Sequence, residues 1–173
     1  MSKIVLSPAG CDTLLAEAER GYEAPYKEER MGHLLGRRTN GTFLVTRVKP
    51  YRGGEKTRTK VSYDDEGFTN RGRALARRHG LTLLGGFHSH VEIGGTSCSG
   101  LSEDDLQAIR DEPGEIEILV SVSVSNDPGR KPVKGSKSLY FFDPEKSYRF
   151  VIKGYAKTGR GVKWVKVAEQ GRR

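Results

Sequence analysis

Apolar residues recur along this chain in two rhythms. Leu14, Leu15 and Ala18 share one face of a helical repeat, and Ser7-Pro8 ahead of them is a helix start signal, so a helix is predicted from there to about Tyr22. Gly32 to Arg38 and Thr42 to Lys49 read as strands joined at Asn40-Gly41, a hairpin turn signal. Tyr51 to Gly67 is polar and reads as a loop, and Thr69 to His79 as a basic helix stopped by Gly80. Leu81-Thr82-Leu83-Leu84 suits a buried strand that ends in Gly85-Gly86-Phe87, with His88 and His90 at or just past its end. Ser102 to Asp111 is a helix ended by Pro113-Gly114, and Ile116 to Val124 alternates as a strand. Asn126-Asp127-Pro128-Gly129 is a turn inside a basic loop. Leu139 to Phe142, Tyr148 to Tyr155 and Val162 to Val167 are further strands. Helices before, between and after strands predict an α/β sandwich. The length of 173 residues is most simply one domain, residues 1–173, with room for a real core.

Composition narrows the setting. The two cysteines, Cys11 and Cys98, argue against a disulfide framework. Met1 to Pro8 is too short an apolar run for a signal peptide, and no segment is long enough to cross a membrane, so a soluble cytoplasmic protein is expected. The net charge of +8 comes from basic clusters at Arg71, Arg73, Arg77 and Arg78, across Arg130 to Lys137, and at Lys153 to Lys166. Such clusters serve as a solvated face, or steer an acidic protein partner. Nucleic acid is the weaker partner, because no nucleic-acid motif is present and the aromatics fall mostly inside apparent strands.

The chemistry concentrates in two neighbouring stretches, His88-Ser89-His90 and Ser102-Glu103-Asp104-Asp105. Residues i and i+2 of an extended chain point the same way, about 7 Å apart. Two imidazoles on one face can therefore converge on a single ion. Two histidines and a carboxylate are the ligand set of a zinc ion that keeps one position open for water. Ser102 with Asp105 three residues on also fits a helix capping box, which needs no function. A hydroxyl can cap and stabilise a reacting oxygen at once. His90-Val91-Glu92 also matches the His-x-Glu of zinc deaminases. That chemistry needs a Pro-Cys-x-x-Cys pair, which Cys11 and Cys98 cannot supply.

A third stretch lies upstream. Glu29-x-Met31-Gly32-x-Leu34-x-Gly36, then His88-x-His90, then Ser102-x-x-Asp105, resembles the JAMM (MPN+, JAB-domain) zinc metallopeptidases in their compact prokaryotic form. The resemblance runs from about Glu29 to about Val124. It implies a mixed β-sheet with helices on both faces, related to the cytidine-deaminase-like fold. It implies that His88, His90 and Asp105 hold one zinc ion, that Glu29 is the general acid/base, and that Ser102 stabilises the oxyanion. It also implies hydrolysis of amide or isopeptide bonds at the C-terminus of a ubiquitin-like protein, in deconjugation or precursor processing. Small peptides and sulfur-carrier adducts are the alternative substrates. A non-enzymatic scaffold of this type would lack one or more of Glu29, His88, His90 and Asp105, and all four are here. Two departures stand out. Val91 follows the second histidine where the family has proline, and the Gly-rich stretch Val91 to Gly100 lengthens the spacing to Ser102. That stretch is expected to line the cleft, with Cys98 a small loop residue or a further thiolate ligand.

Overall fold

The structure is a computed structural model that describes residues 2–53, 55–56, 61–62, 65–92, 100–125 and 136–171. Among these residues the elements run β1 (Lys3–Leu6), α1 (Pro8–Glu23), β2 (Met31–Thr39), β3 (Thr42–Pro50), β4 (Glu55–Lys56), β5 (Val61–Ser62), α2 (Asp65–Arg78), β6 (Thr82–Val91), α3 (Glu103–Asp111), β7 (Ile116–Val124), β8 (Leu139–Asp143), β9 (Tyr148–Thr158) and β10 (Gly161–Glu169). Cys98, the turn at Asn126 to Gly129 and the basic run from Arg130 to Gly135 lie outside the described residues. No helix among the described residues is long and apolar enough to cross a membrane.

Local chemistry explains the ends of the elements. Ser7 caps α1: its Oγ accepts from the Gly10 N–H at 3.1 Å and donates to the Thr46 carbonyl at 3.0 Å, tying the helix start to β3. Asn40 and Gly41 turn the β2–β3 hairpin with φ of 47° and 76°, the left-handed pair that a two-residue turn requires. α2 begins earlier than the expected Thr69, at Asp65, and Tyr51 to Gly67 contains the short β4–β5 pair. β6 also departs from expectation. It continues through Val91, so His88 and His90 lie inside the strand rather than at or past its end. Pairing carries it there, since His88 is matched by Met31 of β2 on one side and Leu119 of β7 on the other.

The larger correction concerns the architecture. The sheet does not stay open between helical layers as in an α/β sandwich, and the cytidine-deaminase-like arrangement of helices on both faces is not formed. The strands follow the order β10-β1-β3-β2-β6-β7-β9, and β9 pairs back to β10, closing a seven-stranded barrel with β8 attached to β9. Two strands make closure possible by dividing their length. One edge of β9 pairs with β7 throughout, while the other pairs with β8 from Tyr148 to Ile152 and with β10 from Gly154 to Thr158. β10 gives Gly161 to Val165 to β9 and Lys166 to Glu169 to β1. Gly154 is the tight point. A Cβ there would lie 2.6 Å from Val167 Cγ2 and 2.7 Å from Ile4 Cδ1, so only glycine admits both strands.

One core cluster joins inward side chains from all seven ring strands, among them Ile4, Leu34, Val45, Phe87, Ile118, Ile152 and Val167. Cys11, Leu14, Ala18 and Tyr22 of α1 complete it, and α1 packs against β3, β6 and β7. α2 packs against β2 and β6. There His33, fully buried, stacks on Phe68 with ring centroids 4.0 Å apart. α3 buries Ile109 and shares a cavity with Met31 of β2, His88 of β6 and Glu117 of β7.

Candidate metal centre

Strand alternation sorts the His88 segment. Phe87, Ser89 and Val91 are buried toward the barrel interior, while His88 and His90 project from the other face. Register then brings Glu29 to them. β2 and β6 are antiparallel with Met31 opposite His88. The ladder runs on past the end of β2, because Ser89 N donates to the Arg30 carbonyl at 2.7 Å and Arg30 N donates to Ser89 Oγ at 2.9 Å. Glu29 therefore falls opposite His90, and its Oε1 lies 3.8 Å from His90 Nε2.

α3 delivers the remaining donor. Ser102 and Asp105 form a full capping box: Ser102 N donates to Asp105 Oδ2 at 2.7 Å, and Asp105 N donates to Ser102 Oγ at 3.1 Å. The same Oδ2 is 3.4 Å from His90 Nε2, while Oδ1 is 3.5 Å from His88 Nε2. The cap thus fixes the carboxylate against both imidazoles and places the Ser102 hydroxyl at the rim of the cluster. One donor atom from each of His88, His90 and Asp105 can be chosen so that all three lie within 4.8 Å of one another.

This arrangement fits a zinc ion. Tetrahedral ligands at about 2.0–2.1 Å stand about 3.3 Å apart, close to the observed carboxylate–imidazole separations. His88 Nε2 is buried and has no hydrogen-bond partner. A buried nitrogen left unpartnered is costly unless something occupies the space before it. Glu29, His88, Asp105, Glu112 and Glu117 are among the residues around a cavity of about 80 Å³ beneath α3.

The charges respond to burial and to each other. Burial pushes Glu29 up to about 7, against the pull of His90 and His88. His88 resists charging through burial, but Asp105 and Glu117 outweigh that and raise it to about 10. For Asp105 burial acts upward, yet its contacts with His88 and His90 hold it well below the usual carboxylate range.

All five residues singled out from the sequence, Glu29, His88, His90, Ser102 and Asp105, meet here. Glu92, a nearby carboxylate by sequence, is committed elsewhere: Tyr22 Oη donates to its Oε1 at 2.5 Å, and Lys27 Nζ stands 3.7 Å from the same oxygen. Two participants escaped the sequence reading. Ser89 sits between the histidines, fully buried. Glu117, only 6% exposed, accepts from His88 Nδ1 at 2.7 Å. The signal for Glu117 was a lone charge inside the apolar run Ile116 to Val120.

No family model matches the chain, and no curated protein matches it. Among solved structures the chain is similar to the solution structure of protein DSY2949 from Desulfitobacterium hafniense, at 21% identity and a TM-score of 0.64, covering 98% of this chain and 94% of that one. That likeness shows that the fold is shared over nearly the whole length of both chains.

Proposed function

We propose that this chain is a zinc-dependent hydrolase of amide or isopeptide bonds, acting at the C-terminus of a ubiquitin-like protein in a cytoplasmic setting. The observation that carries the reading is the convergence of His88, His90 and Asp105, with His88 Nε2 unpartnered and Glu29 alongside. The reading stands on donor geometry and on the order of the three motifs, not on the barrel. Zinc held there would supply Lewis-acid chemistry, polarising a carbonyl and acidifying water toward neutrality.

The chain's own residues do the rest. Glu29, buried and shifted to about 7, is balanced between taking a proton from water and returning it to a departing amine. Ser102 keeps its hydroxyl proton free to donate, because its Oγ only accepts in the capping box. Its role in this reading is to stabilise the negative charge that gathers on the carbonyl oxygen. Ser89 and the Arg30 backbone hold Glu29 to its place across from His90.

The test combines metal analysis with hydrolysis of ubiquitin-like fusion proteins. Wild type is expected to carry about one zinc per chain, and His88→Ala to lose it. Glu29→Gln is expected to keep zinc while turnover falls about 10²-fold or more. Equal zinc in wild type and His88→Ala overturns the ligand assignment, and undiminished turnover in Glu29→Gln overturns its role.

A further inference from the structure

Glu117 is a buried carboxylate that none of the steps above uses. It lies in β7 between Ile116 and Ile118, both buried, where a charge has no solvent to face. Its Oε1 meets His88 Nδ1 at 2.7 Å. We propose that Glu117 is a positioning residue for the metal, holding His88 in the one tautomer that turns the Nε2 lone pair toward the centre and strengthening that nitrogen as a donor. This rests on the zinc reading above.

Three observations carry the proposal. Glu117 occupies His88 Nδ1, which leaves Nε2 as the ring nitrogen that can turn to a metal. That Nε2 is the nitrogen facing Asp105 at 3.5 Å, buried and without a partner. The two histidines are not equivalent, since His90 Nδ1 has no hydrogen-bond partner among the described residues. Only His88 is held from behind. Space for the carboxylate is also provided on the neighbouring strand. Gly86 is opposite Glu117 in the β6–β7 register, and a Cβ there would lie 2.9 Å from Glu117 Oε2.

The test is zinc affinity, measured by competition with a chromophoric chelator, for wild type, Glu117→Gln and Glu117→Ala. Cobalt(II) absorption and the melting temperature of the metal-free protein are recorded on each. Glu117→Gln keeps an acceptor oxygen and loses the charge; Glu117→Ala loses both. Zinc binding is expected to weaken about tenfold in the first and about a hundredfold in the second, with the cobalt bands displaced in both. A purely structural role would lower the melting temperature and leave affinity and cobalt bands where they were, which overturns the proposal. Should neither variant fold, Glu117→Asp keeps the charge but draws the carboxylate back from His88 Nδ1, and the same test applies: weaker zinc supports the role and unchanged zinc overturns it. A wild type that binds no zinc overturns the metal centre itself, whereas tight zinc in wild type with both Glu117 variants within about twofold of it overturns only this role.

Discussion

Ser89 shows how little side chain is needed to set the spacing between Glu29 and His90. Its Oγ accepts from Arg30 N, and its own N–H donates to the Arg30 carbonyl, so both strands are locked one residue from Glu29. Ser89→Ala leaves the Arg30 N–H unpaired, a cost of about 1–3 kcal/mol. Zinc content should stay unchanged while turnover falls as Glu29 drifts, which metal analysis beside a rate measurement will separate. Ser102→Ala removes the α3 cap, and a melting curve should register about 1 kcal/mol, with the slower turnover measured on protein that is still folded. At this scale the centre was largely legible. His88 and His90 are two residues apart, Ser102 and Asp105 three apart, and both spacings carry their own geometry. Glu117 was not legible, because its partner lies 29 residues away and only the β6–β7 register brings them together. Glu92 looked available for the converse reason, since its bond from Tyr22 spans 70 residues.

Elements were legible where a local signal starts or stops them. Ser7-Pro8, Asn40-Gly41 and the Ser102 capping box each act within a few residues, and each is found where the pattern puts it. β1 went unread because Lys3–Leu6 offers only the short apolar run Ile4-Val5-Leu6. β6 was cut short because its glycines resemble a stop, whereas pairing on both edges overrides them. The α2–β2 contact yields a pH prediction. His33 Nε2 meets the Phe68 carbonyl at 2.8 Å, and burial, aided by Arg71, lowers the His33 pKa below its ordinary value. The unfolded chain takes up that proton from about pH 6.5 downward, where the folded protein resists it. Stability from this group is therefore complete above that pH and declines as pH falls toward the lowered folded value. His33→Gln keeps a donor but does not titrate. Thermal melts from pH 7.5 to 5 should show a steeper acid decline for wild type than for this variant, and parallel curves would remove His33 as a cause.

The whole molecule was the least legible scale. Periodicity reveals that Tyr148 to Tyr155 and Val162 to Val167 are strands, but it carries no information on which edges meet. The barrel depends on β9 sharing one edge between β8 and β10, and on β10 dividing itself between β9 and β1. An alternating strand looks the same whether its sheet closes or stays open. Gly154 tests the closure directly. Gly154→Val puts side-chain atoms into the space held by Val167 and Ile4, and overpacking of this kind costs about 1–3 kcal/mol or more. Urea denaturation should show the loss. A variant as stable as wild type would mean that β1 and β10 can separate there without consequence.

The first strand of the ring is clasped on one side by the last. β1 lies between β3 and β10, parallel to both, so Leu6 is matched with Glu169 as well as with Val45. During synthesis from the N-terminus, one edge of β1 stays unmatched until β10 has been made, and the barrel cannot shut before then. Loop closure over that span is slow, which places refolding of the whole domain in the millisecond-to-second range typical of non-local β topologies. Half-made chains present an open edge at β1, the kind of surface on which nascent chains associate with one another.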